Sequence, residues 1–400
     1  MNILHLIGGG ELGGAEQHLI TLLPRLHARG VQPLLGCLYK HSPLADIIQS
    51  ETTPVRLFPM RAPFDLTPLP SLLKYCAHHK IHLIHSHGLR ANILGRAAGL
   101  FSHIPSVTTW HSWPEHDFPG TITGRTAMTL EHITLRHSAG SITVSKELAK
   151  KFQQWPPMNR RTSPKRRTLR HLSPKRPHHT QTIYNGYAPF RRTPEEHAQA
   201  RQHYRTLWGI PENAVVIGTI GRLHPVKGHQ HLLQAVALLT SRLPTLNIPT
   251  YSNPPLFHLL LIGEGPERPN LEHHLAHAPY TYTLTGHIPD AERVLPAIDI
   301  FVFPSLHEGL GIALLEAIQA RLPIVATAVG GIPEILRADS DALLVPPADP
   351  DAIAAACQTL LENPAQRESL IAAAQTRLSL FDPDNMADQT ITFYHNILDP

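Results

Sequence analysis

Cysteine is scarce: Cys37, Cys76 and Cys357 are the only three in 400 residues, and none forms a Cys-x-x-Cys pair. Such a scattered, odd set excludes a disulfide framework and a thiolate zinc site, and it suits a reducing compartment. Long apolar runs are missing too. No stretch approaches the roughly 18–20 residues of a membrane span, and the opening Met1-Asn2-Ile3-Leu4-His5-Leu6-Ile7 has no basic flank. Neither an integral membrane protein nor a conventionally secreted one is expected, which leaves the cytoplasm as the expected location. Acidic residues are absent from 150–182, which holds ten Lys or Arg: Lys150, Lys151, Arg160, Arg161, Lys165, Arg166, Arg167, Arg170, Lys175 and Arg176. Elsewhere 25 basic residues face 31 acidic ones, so the net charge of +4 is one local feature and not a field of the whole protein.

What is present points to ordinary globular structure. Hydrophobic residues make up 42% of the chain, enough to build cores, and the length asks for two domains. Histidine occurs 29 times, so no single histidine carries an argument without context. Short β-branched or leucine-rich runs alternate with helical patterns in the first half: Ile3–Ile7, Pro33–Leu38, Pro54–Phe58, Ile81–His85, Pro105–Thr109, Gly140–Val144 and Thr182–Tyr184 read as strands, with a helix over Ala15–Ala28. The second half repeats the plan with Val215–Ile220, Phe257–Ile262, Thr281–Leu284, Ile300–Phe303, Ile324–Thr327 and Leu343–Val345. Alternation of this kind means two parallel sheets covered by helices on both faces. Two stretches break it: the proline-rich, cationic segment of about 155–180 reads as an exposed or disordered insert, and Pro244–Pro255 as a surface excursion. Two doubly wound domains also create a cleft at their C-terminal strand ends, the usual ligand position in open α/β sheets.

The densest chemistry lies in Phe301–Leu336, FVFPSLHEGLGIALLEAIQARLPIVATAVGGIPEIL. A strand ends near Phe303, Glu308 follows in the loop, Gly309 and Gly311 open a helix, and Glu316 sits more than a turn into it. Small residues there let backbone N–H groups approach an anion closely. Glu308-Gly309-x-Gly311 with a second Glu eight residues after the first, then Gly330-Gly331-x-Pro333-Glu334, resembles the donor site of family 4 retaining glycosyltransferases, also called group 1, of the two-domain GT-B fold. The resemblance runs in order through Gly13-Gly14-Ala15-Glu16, Val144-Ser145, Asn185-Gly186-Tyr187, Gly221-Arg222-Leu223 with Lys227-Gly228, Gly263-Glu264-Gly265-Pro266, and a last helix from Phe381 to Leu398.

The resemblance implies an α/β protein of two facing Rossmann-like domains: an acceptor-side domain over 1–187, a nucleotide-sugar domain over 188–380, and a helix over 381–400 that returns to the first domain. It implies that Arg222 and Lys227 meet the diphosphate, whose charge grows as the sugar departs. Glu308 would contact donor-sugar hydroxyls beside the reacting carbon, Glu316 the ribose hydroxyls, and Gly309, Leu310 and Gly311 the donor through their backbone. Gly13 and Gly14 would lie beneath the diphosphate, His111 would touch the sugar, and Glu16 would face the acceptor. Each has a plainer reading beside it. Glu308 and Glu16 suit a helix N-terminus on electrostatic grounds alone, and Gly13-Gly14 suits any strand-to-helix turn.

Two glutamates at opposite ends of a donor are not a glycosidase pair, which must flank one bond. The implied activity is transfer with retention from a UDP- or GDP-sugar to a glycan or glycolipid, as in surface polysaccharide or lipopolysaccharide assembly. No cofactor and no metal are expected; His85-Ser86-His87 has a spacing that some metal sites use, but the sequence identifies no further ligand for it. The cationic 150–182 segment leaves three readings open: an anionic membrane surface, which would place the enzyme peripherally on the inner face of the plasma membrane; nucleic acid, disfavoured because aromatic interleaving is lacking; or a solvated loop. The rival functions are a nucleotide-sugar epimerase of the same fold and a non-catalytic glycan-binding protein.

Overall fold

A computed structural model describes residues 1–50, 52–62, 64–113, 122–155, 178–188, 190, 192–242 and 256–399. The chain divides into two compact units, one of Met1–Gly186 with Phe381–Pro400 and the other of Tyr187–Leu380. Among the described residues the first unit holds seven parallel strands: β1 (Asn2–Ile7), β2 (Gln32–Cys37), β3 (Val55–Leu57), β4 (Leu83–His87), β5 (Ser106–Trp110), β6 (Gly140–Thr143) and β7 (His179–Thr182), in the order β3-β2-β1-β4-β5-β6-β7. The second holds six: β8 (Ala214–Ile220), β9 (Leu256–Ile262), β10 (Thr281–Leu284), β11 (Ile300–Phe303), β12 (Ile324–Thr327) and β13 (Leu343–Val345), in the order β10-β9-β8-β11-β12-β13.

In both sheets the chain order reverses beside the first strand, so each is doubly wound with helices on two faces. The strand alternation sorts the first unit's interior into two cores. Leu4, Leu6 and Ile84 face one way, into a core with Leu72, Leu94 and Ala98. Ile3, Ile7, Leu83 and Val107 face the other, against Leu19, Leu22 and Leu26 of helix Gly14–Ala28 and Met386, Ala387, Phe393 and Ile397 of helix Pro383–Leu398. The last helix therefore completes the first unit's core. Its entry is tight: a Cβ on Gly186 would lie 2.4 Å from Pro383 Cα, so only glycine fits at the end of that segment. Arg29 ties the same helix down through Asp384 and Asp388.

The expected elements are found, with shifts. Hydrogen bonding to β6 fixes β7 at His179–Thr182, before the expected Thr182–Tyr184, and β4 runs to His87 and not to His85. Strand pairing sets both ends, and the hydrophobic pattern alone does not. Residues 156–177 of the cationic insert and 243–255 of the proline-rich excursion lie outside the described residues. The insert is also narrower than expected at its edges. Trp155 caps helix Lys146–Gln154 and packs edge-on against Trp110 and Trp113, with ring centroids 5.8 and 5.1 Å away, while His179 and Thr180 belong to β7.

Candidate active site

In the second unit, two loops at the C-terminal ends of β8 and β11 are stitched together. After β8 the chain makes a short 3-10 turn, Pro225–Lys227, and leaves it through Gly228 at φ +66°. A Cβ on Gly228 would stand 2.2 Å from the Pro304 carbonyl oxygen, so this residue needs both the left-handed backbone and the missing side chain. Leu306 N–H donates to the Val226 carbonyl at 2.7 Å, closing the contact from the other side. The register places Lys227 Nζ as donor to Glu308 Oε1, and Ser305 Oγ donates to the same oxygen at 2.7 Å. Both charges are largely buried, with side-chain exposures of 23% for Lys227 and 9% for Glu308. Lys227 Nζ also stands 5.5 Å from the Phe303 ring centroid.

Gly330 supports this loop from below, because a Cβ there would lie 1.9 Å from the Glu308 carbonyl oxygen. Gly309, Leu310 and Gly311 are buried, and Gly311, at φ +98°, opens helix Ile312–Gln319. Glu316 lies in the second turn of that helix. Its carboxyl is pushed up to about 7, first by burial and then by the charge of Glu292. The residue keeps partial exposure, so the protein desolvates the carboxyl without sealing it off. Its charge in turn reaches the buried Tyr187 hydroxyl, whose pKa rises mainly through burial. Arg222 is exposed in the loop that follows β8. The Gly263-x-Gly265 pair is explained by packing: Cβ atoms there would approach Gly221 O to 2.0 Å and Leu223 O to 2.4 Å.

The first unit holds the other expected residues. Gly13 and Gly14 are exposed at the start of helix Gly14–Ala28. Glu16 reaches back so that its Oε2 accepts the Gly13 N–H at 3.1 Å, which makes it a helix cap as well as a half-buried acid. His111, just past β5, is half-buried and joins a group of histidines that the sequence did not bring together. His5 and His85 are register partners across β1 and β4, and His87 follows two residues on, so all three project from one face of the sheet. His18 reaches them from helix Gly14–Ala28, and His111 stands beside His87, with His87 Nδ1 and His111 Nε2 3.0 Å apart. His85 is fully engaged, with Tyr394 Oη at 2.6 Å and Thr109 Oγ1 at 2.7 Å.

Burial holds every ring of this group neutral: it lowers His5 to about 3 and His18 to about 4, and it pushes His85, His87 and His111 well below the usual histidine range, with mutual repulsion adding to it. Asn185 lies close enough to favour a charged His18 slightly, yet neither His18 nitrogen reaches a hydrogen-bond partner. The missed signal was a polar residue at an inward position of an otherwise apolar strand, as in Ile3-Leu4-His5-Leu6-Ile7.

Comparison with known proteins follows these two units. Residues 214–363 match the model of glycosyl transferases group 1, and residues 12–163 that of glycosyltransferase family 4. The 2-deoxystreptamine glucosyltransferase of Streptomyces kanamyceticus is 33% identical over 151 residues, covering 36% of each chain. The D-inositol 3-phosphate glycosyltransferase of Corynebacterium urealyticum is 32% identical over 208 residues, 50% of this chain and 47% of that one. The chain thus spans less than half the length of these curated relatives. In fold the likeness covers the whole chain: the crystal structure of Anabaena HepE in complex with UDP-glucose matches with a TM-score of 0.78 at 21% identity, over 99% of this chain and 100% of that one. WaaG, a glycosyltransferase of lipopolysaccharide biosynthesis, matches with a TM-score of 0.68 at 15% identity, over 98% of this chain and 99% of that one. With both units matched by glycosyltransferase models and the two-domain Rossmann-like architecture shared end to end, the chain belongs to the group 1 glycosyltransferases of family 4, with the GT-B fold.

Proposed function

We propose that the protein is a retaining glycosyltransferase that moves a sugar from a UDP- or GDP-linked donor to a glycan or glycolipid acceptor. The observation that carries this reading is the Lys227–Glu308 pair, held at the C-terminal strand ends of the second unit by glycine-tight loops. A buried cation beside a carboxylate supports this reading because one suits a diphosphate and the other a sugar hydroxyl, with little reorganisation left for the reaction itself. That HepE has been crystallised with UDP-glucose supports a nucleotide-sugar donor.

In this reading Lys227 and Arg222 stabilise the departing diphosphate, Glu308 orients the sugar, and Glu316 accepts from the ribose hydroxyls. Gly309, Leu310 and Gly311 present backbone to the donor, and Gly13, Gly14, Glu16 and His111 serve from the first unit. No protein nucleophile is assigned: the acceptor attacks from the face the diphosphate leaves, and a leaving phosphate oxygen takes its proton. Transfer of this kind draws on no cofactor and no metal.

Surface polysaccharide or lipopolysaccharide assembly is the setting we infer, with the enzyme cytoplasmic and peripheral on an anionic membrane through residues 150–182. No helix of the described residues is long and apolar enough to cross a membrane. Co-sedimentation with anionic vesicles, with and without residues 156–177, tests the attachment. The function is tested by supplying UDP-, GDP- and ADP-sugars with candidate lipid-linked acceptors and measuring nucleoside diphosphate release and product anomer. One donor class should release diphosphate with retention. Sugar interconversion without release would instead indicate an epimerase.

A further inference from the structure

We propose that His18, His87 and His111 form a binding site for one borderline divalent transition-metal ion of the Zn²⁺ class inside the first unit, so that an ion held there would compete with the sugar for His111. One ring nitrogen from each lies within 4.8 Å of the other two. The three come from different elements: helix Gly14–Ala28, the end of β4 and the first residue beyond β5. Metal–imidazole bonds of about 2.0–2.1 Å at tetrahedral angles put ligand nitrogens about 3.3–3.4 Å apart. The 3.0 Å between His87 Nδ1 and His111 Nε2 is within a few tenths of an ångström of that spacing.

Hydrogen bonding selects this triad over its neighbour. His5, His85 and His87 also cluster within the same limit, but His85 already spends both nitrogens on Tyr394 and Thr109 and would have to release one. By contrast, both nitrogens of His18 are buried without a hydrogen-bond partner, and His18 is only 4% exposed. A buried imidazole with no partner has been desolvated without compensation, and a metal–nitrogen bond supplies that compensation.

The surroundings fit a ligating group as well. His87 Nε2 lies 3.2 Å from His5 Nδ1, so with Nδ1 on the ion its other N–H is held by a second ring, the arrangement metal-bound histidines usually have. Three imidazoles with no thiol or carboxylate in the group favour Zn²⁺, Co²⁺, Ni²⁺ or Cu²⁺ over Mg²⁺ or Ca²⁺. His111 is half-buried, which leaves the fourth position a route to solvent or to an anion that balances the charge. A bound ion would clamp helix Gly14–Ala28 to the strand ends of β4 and β5.

The test is cobalt(II) titration of the chelator-treated full chain. Three-imidazole, four-coordinate cobalt gives an intense visible absorption, whereas surface pairs such as His273 and His277 give weak octahedral spectra. The wild type should show one equivalent of the intense band, displaced by Zn²⁺, and Zn²⁺ should raise the thermal midpoint. His18→Leu, which suits the apolar face of its helix, should abolish the band and weaken binding at least 100-fold with unchanged circular dichroism, while a His273→Ala/His277→Ala variant should keep it. If His18→Leu does not fold, His111→Ala at the strand end must give the same loss. No intense band in the wild type overturns the site. So does a band that survives His18→Leu, or one that His85→Gln removes while His18→Leu leaves it.

Discussion

The two units share one plan and furnish it oppositely. At the C-terminal ends of the second sheet, glycines with left-handed backbones bring carbonyl groups into contact and set Lys227 against Glu308, a site built from full charges. At the equivalent level of the first sheet the chain places His5, His85, His87 and, from nearby, His18 and His111, all kept neutral by burial. Where the first unit does bury charge, it does so as a closed pair away from those histidines: Arg96 Nη2 meets Glu131 Oε1 at 2.9 Å, with side-chain exposures of 1% and 0%. A doubly wound scaffold therefore dictates where a site lies and not its chemistry. Here one unit sets a buried cation against a carboxylate, while the other gathers five neutral rings.

That separation can be broken most severely at Arg96. Glu131 also accepts from Asn92 Nδ2 at 2.8 Å, and Arg96 donates to Thr108 and Thr134, so the pair is the centre of one buried network. Glu131→Ala leaves a buried guanidinium without its countercharge and should destabilise the first unit by about 3–5 kcal/mol. The shift should appear in the unfolding transition reported by Trp110, Trp113 and Trp155, and not in that of Trp208 in the second unit. Equal shifts in both transitions would mean that the units do not unfold separately. Next in size is the charged site itself. Glu308→Gln keeps the shape and removes the charge, and Lys227→Ala removes the cation; each should lower turnover about 10²–10³-fold while leaving thermal midpoints within a few degrees. Near-normal turnover in both variants would falsify the donor-site assignment.

The sequence carried the two-sheet plan because buried parallel strands are written as apolar runs, and it singled out Lys227 and Glu308 through the motif resemblance, while only the structure shows that the two are paired. It did not carry Ser305 as a third group on Glu308, because a serine three residues before a glutamate has no pattern of its own. The histidine group was hidden for a different reason. His5, His18 and His87 are far apart in the chain, and only the β1–β4 register and the packing of helix Gly14–Ala28 bring them together. Trp155 was assigned to the insert because prolines follow it, whereas its aromatic contacts anchor it to the folded unit.

A smaller effect isolates the glycine geometry from the charge. Gly330→Ala changes no ionisable group, but it places a methyl against the Glu308 carbonyl at a backbone angle of φ +55°. The Glu308 loop must shift, and a displacement near 1 Å in a positioning group costs about 10²-fold. Turnover should fall by that order, with the loss in kcat exceeding any change in nucleotide affinity. Gly30→Ala, also at positive φ but with open space around it, is the matched control: backbone strain without displacement of the site, and turnover unchanged.

The smallest effect lies in Glu316, and its sign can be worked out. The carboxyl sits at about 7 in the folded chain against an ordinary 4.5, so folding takes up a proton between those values. Its contribution to stability is complete below about pH 4.5 and is lost as pH rises towards 7, at no more than about 1.4 kcal/mol per pH unit. Glu316→Gln cannot titrate and should flatten that slope in the Trp208 transition. Nucleotide binding should run the other way. Ribose hydroxyls donate to an ionised carboxylate, so the affinity for the matching nucleoside diphosphate should fall as pH drops below 7, by at most tenfold per unit, and the fall should vanish in Glu316→Gln. Calorimetric titration between pH 5.5 and 8 separates the two effects. A wild-type affinity as flat with pH as that of the variant would remove Glu316 from the ribose and leave it a residue of the helix interior.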